Sequence, residues 1–253
     1  MLKLFLIFTA FIFIANADEP ESPALNAQSN VLPQYEHRIG INFPLIGISY
    51  ERIKPNSYYI GIDGDLFFPA LNYFCGVINA EARSGYHFFN GIHHHFIPIA
   101  GGGYLQINPL FGFKREDVQE FAYASLGCRY EYEQMKGLPC SMGINAQGLL
   151  AYRLPQEWDY SPSPCLYPLK KHEKITAAFP VFGFKGSVPV TFRFGQQKNW
   201  DFIFEPFFFY LSSHKIKVDQ TYIKSSGSLI GKTYEVKKQA QVGGLNLSIG
   251  RRF

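Results

Sequence analysis

The sequence predicts an all-β protein, an antiparallel up-and-down transmembrane β-barrel of eight to ten strands, with ten preferred. Three observations carry that expectation. Segment after segment alternates apolar and polar residues with a period of two, the mark of strands with one oily and one wet face. Aromatic residues make up 17% of the chain, with 25 Phe and 16 Tyr, while the hydrophobic fraction is an ordinary 47%. A soluble core does not need so much Phe and Tyr, whereas a barrel carries an apolar outer band and aromatic girdles at both interfaces. The start reads as an export signal, and no later stretch supplies the roughly 18 uninterrupted apolar residues of a spanning helix.

The first segment, residues 1–17, has a basic residue at Lys3, an apolar run from Leu4 to Ile14, and the small-x-small site Ala15-Asn16-Ala17. That layout predicts a secretory signal peptide cleaved between Ala17 and Asp18. The apolar run is shorter than the roughly 20 residues of a membrane anchor, and no Cys follows the cleavage site to take a lipid. Residues 18–34 hold Pro20, Pro23 and Pro33 with no periodicity and are expected to form a flexible arm. Residues 35–253 are expected to form the barrel. Net charge is +4 with no dominant basic patch, so nucleic acid is not an expected partner. Cys75 and Cys165 fall in expected loops. Cys128 and Cys140 flank the turn "EQMKGLP" on one face, where they could bridge a hairpin. Four Cys allow three pairings, and buried thiols are an equal reading.

The strands follow in order. "GISYERI" (Gly47 to Ile53) is the first secure one. Next, Tyr58, Ile60, Ile62, Leu66 and Phe68 oppose Tyr59, Gly61, Asp63 and Asp65. Ile78, Ala80, Ala82, Tyr86 and Phe88 then oppose Asn79, Glu81, Arg83, Gly85 and His87. In "FIPIAGGGYLQI", Ile97, Ile99, Leu105 and Ile107 are expected on the oily face, opposite Pro98, Ala100, Gly102, Tyr104 and Gln106. Leu126, Cys128, Tyr130 and Tyr132 oppose Ser125, Arg129, Glu131 and Glu133. Met142, Ile144, Leu150 and Tyr152 oppose Gly143, Asn145 and Gln147. Phe182, Phe184, Val190, Phe192 and Phe194 oppose Lys185, Ser187, Thr191 and Arg193. Trp200, Phe202, Phe204, Phe208 and Tyr210 oppose Asp201 and Glu205. Last, Leu245, Leu247, Ile249 and Phe253 oppose Asn246, Ser248, Gly250 and Arg252. A soluble sandwich also alternates. Here, though, the wet face is rich in Gly, Ser, Asn and Gln with isolated charges, which suits a crowded barrel interior better than a solvated sheet.

Connections set the orientation. Short links occur at "KPNS", "FNGIHH", "QMKGLP" and "GQQKN". Long ones occur at "NPLFGFKREDVQE", from Leu154 to about Ala178, and from Ser212 to about Gln239. Barrels of this kind have short periplasmic turns and long outer loops. The last long link is expected to be a hairpin prolonging its two strands beyond the membrane, with "SSGS" at its tip. These strands number nine, and a bacterial single-chain barrel should be even. Either "HRIGINF" (His37 to Phe43) is a separate strand turning at Pro44, giving ten, or one segment does not span, giving eight.

The signal, the amphipathic strands and the terminal Phe253 resemble the small outer-membrane β-barrel proteins of Gram-negative bacteria, the OmpA/OmpX/OmpW-like and PagL-like group. In that group the last strand is an assembly signal read by the barrel-insertion machinery, and Phe253, Ile249, Leu247 and Leu245 match its pattern. Arg251 departs from it, standing where an aromatic or apolar residue is usual. An Arg at that rim can snorkel to headgroups. The resemblance implies an outer-membrane location with outer-membrane lipids and the assembly machinery as partners. It implies no activity, because one barrel design hosts many functions.

The chemistry expected of the interior is electrostatic. Asp63, Asp65, Glu81, Glu131, Glu133, Asp201 and Glu205 face Arg83, Arg129, Lys185, Arg193 and Arg252. In a lumen only just wide enough for side chains, such groups should pair and plug it, leaving a structural or surface-interaction role. In a slightly wider one they would be the selectivity groups of a small pore. A lipid hydrolase would need a Ser, a His and a carboxylate within hydrogen-bond reach, and Ser125, His87 and Glu131 are only residue types without a motif. No catalytic residue, metal site or cofactor is assigned. His93, His94 and His95 are expected in a solvated periplasmic turn, since adjacent strand residues point to opposite faces. Gly101, Gly102 and Gly103 lack a strand-to-helix context and read as a bend or close strand contact. The loop "QEWDYSPSPCLYPLKKHEK" is a recognition candidate with an unreadable partner.

Overall fold

A computed structural model describes residues 36–43, 45–67, 75–89, 93–109, 117–133, 140–160, 170–177, 180–195, 198–223 and 228–253. These lie in the unit Tyr35–Phe253. The signal segment, its cleavage site and residues 18–34 fall outside the described residues.

The described residues form one antiparallel sheet of thirteen strands. They are β1 (His37–Phe43), β2 (Leu45–Arg52), β3 (Ser57–Phe67), β4 (Cys75–Phe89), β5 (His94–Pro109), β6 (Gln119–Glu133) and β7 (Cys140–Arg153), followed by β8 (Gln156–Tyr160), β9 (Lys170–Ala177), β10 (Val181–Ser187), β11 (Val190–Phe194), β12 (Trp200–Ile223) and β13 (Leu229–Arg252). Each of β1 to β7 pairs with its sequence neighbour, and β1 also pairs with β13. β10 and β11 lie between β7 and β12 as two halves of one course, interrupted at Val188 and Pro189. Proline has no amide to donate, and here Pro189 serves as acceptor only, taking the Gly143 N–H at 2.8 Å. The result is a closed ring of ten strand positions.

β1 and β2 are separate strands across Pro44, with Asn42 opposite Gly47. At one end of the ring Asn56 (φ 50°) and Lys198 (φ 51°) take the left-handed conformation common in tight turns. The chain terminus is tied down at this same end, where Phe253 and His37 exchange backbone hydrogen bonds of 3.0 and 3.1 Å.

At the other end β12 and β13 run on together, from Trp200 opposite Arg251 to Ile223 opposite Leu229, with an irregularity between Leu211 and His214. The expected prolonged hairpin is therefore present. The stretch from Leu154 to Ala178 is not a plain loop, however. It contains β8 and β9, and β9 pairs with β12 from Ile216 to Ile223. Ile175, Ile216 and Val218 form a fully buried cluster in this extension, with Trp158, Tyr234 and Val236 packed against it.

The ring exposes apolar rows outside and turns its charged groups inward. Ile48, Tyr58, Ile62, Leu126 and Phe182 are exposed at 66, 71, 52, 73 and 68%, while Glu51, Glu81 and Asp201 are 3, 3 and 0% exposed. β5 departs from the expected facing. Ile97, Ile99, Leu105 and Ile107 point inward and are buried. Register explains this, because residues directly opposite in an antiparallel pair share a face. Inward Glu81 lies opposite Gly103, and inward Glu131 lies opposite His95, so the odd positions of β5 must face in.

Ile97 and Ile99 pack with Tyr59, while Leu105 and Ile107 join a second zone that the alternation pattern does not announce. Leu105, Ile107, Phe121, Tyr123, Leu149, Phe209, Leu211 and Val242 form an apolar cluster inside the ring, toward the extension. The interior is thus half charged and half apolar, not salt-bridged throughout.

Candidate functional site

The charged half of the interior is built by strands whose inward positions alternate with outward apolar ones. Glu51, at the end of β2, is its hub. Arg38 pairs with Glu51 across the β1–β2 ladder, Arg129 from β6 reaches its Oε1 at 3.0 Å, and Arg83 from β4 approaches to 3.6 Å. The Tyr59 hydroxyl donates to Oε1 at 2.7 Å. Arg83 also pairs with Asp63, and Lys185 of β10 reaches across the ring to Glu81 on β4. Arg129 continues to Glu131 at 3.1 Å, which accepts from Ser141 at 2.6 Å. Arg193 pairs with Glu133 and lies 4.0 Å from Asp201, which accepts from Arg252 at 2.7 Å and sits 3.6 Å from Arg38.

This is one connected network. Arg38, Arg83, Arg129, Lys185, Arg193 and Arg252 stand against Glu51, Asp63, Glu81, Glu131, Glu133 and Asp201, six cations to six carboxylates. The balance matters because an unpaired charge in a low-dielectric interior is costly. Asp65 and Glu205 point into the same interior without an ion-pair partner among the described residues. Asp65 accepts from Asn42 at 2.7 Å and Glu205 from Ser187 at 2.6 Å.

Arg38 and Glu51 were not among the residues singled out by sequence. Both sit at inward positions that follow once β1 is accepted as a strand paired to β2, so the signal was there in the alternation. His95 departs from its expected place. It is buried, not in a solvated turn, because its odd position on β5 faces in. Its Nε2 is 3.2 Å from Glu133, and its Nδ1 shares a 2.7 Å hydrogen bond with His87 Nε2. His94 faces out against Tyr130, 2.6 Å from that hydroxyl.

Ser125, His87 and Glu131 are not assembled into a triad. Ser125 turns to Glu81 at 3.5 Å, His87 to His95, and Glu131 to Arg129 and Ser141. Cys128 and Cys140 are free thiols; Cys128 lies opposite Ala146, six residues along β7 from Cys140, so a bridge between them has no geometry. Cys75 opens β4 and does not sit in a loop, and Cys165 lies outside the described residues. Among the described residues there is no group of three or more His, Cys, Asp or Glu that could hold a metal.

Gly101 and Gly103 are close strand contacts. A Cβ on Gly103 would fall 2.3 Å from Ala80 O and 2.8 Å from the Tyr123 hydroxyl, and one on Gly101 would crowd Ala82 O and Arg83.

Between the two interior zones lies a cavity of about 140 Å³, room for several waters. Asp65, Asn79, Lys185, Glu205 and Asn246 give it polar walls, and Val77, Leu105, Phe207, Phe209 and Val242 give it an apolar one.

On the outside, the last strand keeps Leu245, Ile249 and Phe253 exposed and Leu247 half-buried, while Ser248 and Gly250 face in. Phe253 stacks on His37, with ring centroids 5.6 Å apart. Arg251 lies over the Trp200 ring at 5.8 Å. An aromatic band at this end includes Tyr58, Tyr86, Phe88, Phe194 and Trp200.

No family model matches the chain, and no curated protein matches its sequence.

Proposed function

We propose that the protein is an integral outer-membrane β-barrel of a Gram-negative bacterium, exported by a cleaved signal and closed to bulk flow. In this reading it is a non-enzymatic scaffold that carries a folded extension and long links for surface recognition. The observation that supports it is the inversion of the ring. Whole rows of Phe, Ile, Leu and Tyr are exposed outside, and charged groups are buried inside. In water that outer surface would be an apolar patch far larger than monomeric proteins expose, whereas acyl chains are its natural solvent. Outer-membrane lipids are therefore its immediate partners. Leu245, Leu247, Ile249 and Phe253, outward on the closing strand, are positioned to be read by the assembly machinery.

Closure is supported by contacts that cross the ring. Lys185 meets Glu81, Arg129 meets Glu51, and the Tyr123 and Phe209 rings lie 6.2 Å apart. A small pore is the second reading, favoured by the charged walls of the internal cavity. Planar-bilayer recording of the purified protein separates the two. The closed reading expects no steady unitary conductance from the wild type, and reproducible channels would replace it with the pore.

A further inference from the structure

We propose that the internal cavity is a binding site for a small amphiphilic cation, an alkylammonium whose charged head sits with Asp65 and Glu205 and whose apolar body lies against Val77, Phe209 and Val242. The inference starts from charge. Every cation of the six-to-six network is committed, Lys185 to Glu81 and Arg83 to Asp63, Glu81 and Glu51. Asp65 and Glu205 form no ion pair among the described residues; both line the cavity, alongside Arg38, Arg83, Arg129 and Lys185, which are held by Glu51, Asp63 and Glu81. Their hydrogen bonds from Asn42 and Ser187 come from neutral donors, which orient the carboxylates without cancelling their charge.

A second observation comes from the other side of the cavity. Asn246 Oδ1 is buried with no hydrogen-bond donor, and Asn246 lines the same space. An acceptor in that condition calls for an N–H or a water. With the lining arginines and Lys185 already paired, the two remaining carboxylates and the open amide oxygen suit a cation that can also donate hydrogen bonds, which an ammonium group does. The opposite wall selects the rest of the ligand. Val77, Phe207, Phe209 and Val242 are continuous with the apolar cluster, so a bare hydrated metal ion would leave half the cavity unsatisfied.

β13 pairs with β1 only as far as Leu247 opposite Phe43, and over residues 239–246 no strand among the described residues pairs with that side of β13. Asn246 and Val242, which line the cavity, lie on this stretch, the proposed place of entry. Entry from the acyl-chain region along this edge rests on the membrane reading above. Binding in the cavity does not.

The test uses the full mature chain refolded in detergent, its folding checked by heat-modifiable gel migration. The probe is n-butylammonium chloride, with n-butanol and sodium chloride as controls, followed by thermal midpoint and saturation-transfer NMR. The proposal expects a saturable rise in midpoint with butylammonium alone. It expects the Asp65→Asn/Glu205→Gln double variant to bind at least about tenfold more weakly, a loss of about 1.4 kcal/mol. Val242→Phe, which fills the apolar end and leaves both carboxylates, should abolish binding. If the double variant does not fold, the Val242→Phe and butanol comparisons decide. Unsaturable binding, equal binding of butanol, or an undiminished double variant overturns the proposal. A chain that is soluble and folded without detergent would refute the membrane reading instead, and the same titration would then be run in plain buffer.

Discussion

Glu51 gathers three arginines and a tyrosine hydroxyl from four different strands, and it is 3% exposed. Removing it leaves those cations buried around an empty site, and breaking a buried pair in this way costs roughly 3 to 5 kcal/mol. Glu51→Ala should therefore lower the stability of the refolded protein by about that amount in urea titrations with lipid vesicles. Glu51→Gln, which keeps the hydrogen-bonding shape, should cost less than Glu51→Ala. Equal stability of wild type and Glu51→Ala would mean that the network is solvated and the interior open. Packing inside is as tight as the pairing. A Cβ on Gly127 would come within 2.0 Å of Ala146 O and 2.6 Å of Gln147 Cα, so β6 could not hold its place beside β7. Gly127→Val should cost about 1–3 kcal/mol by overpacking, and an unchanged unfolding midpoint would contradict this contact. At this scale the sequence was partly legible. Inward charges such as Asp63, Arg83 and Asp201 stood out against small neighbours. Arg38 and Glu51 do not, because β1 and β2 are short and β1 is a strand of its own only if the chain turns at Pro44.

Among the elements, the prolonged β12–β13 hairpin and its added strands form a unit with its own small core. Its exposed polar contacts, such as the His172–Asp159 hydrogen bond at 2.9 Å and the Lys217–Asp219 ion pair at 3.2 Å, are solvated and contribute little. Ile175, Ile216 and Val218 carry the stability instead, each with no exposed surface. Ile216→Ala removes a buried side chain at a cost of about 2–5 kcal/mol. The expected result is faster protease cleavage in β8, β9 and the outer halves of β12 and β13, with heat-modifiable migration of the ring retained. Loss of both together would show that the extension and the ring fold as one. The hairpin was readable from the length of the segment after Ser212, and most of its expected "SSGS" tip lies outside the described residues. β8 and β9 were not, because "KKHEKITA", whose buried residues include Glu173 and Ile175, reads as a polar loop. The facing of β5 was misread for a related reason. Where both faces carry Ile, Gly and Tyr, hydropathy does not choose between them, and the register imposed by β4 and β6 does.

For the whole molecule, the period of two and the aromatic content pointed to a closed antiparallel sheet, and the described strands form a ring. What alternation could not reveal is the division of the interior. Apolar residues at inward positions look, in sequence, like interruptions of the pattern; only the ring brings Leu105, Phe121, Leu149, Phe209 and Val242 together. That division has a functional sense in the proposed barrel, since salt bridges close one half, the apolar cluster closes the other, and the cavity lies between them.

Everything rests on which solvent the outer rows meet. The most direct measurement places a single Trp at Ile62, and separately at Ser125, in a chain whose Trp158 and Trp200 are replaced by Phe, and reads its fluorescence in vesicles of brominated lipid. The account predicts strong quenching at position 62, which is outward and exposed, and little at position 125, which is inward and buried. Equal quenching at the two positions, or none at position 62, would contradict it.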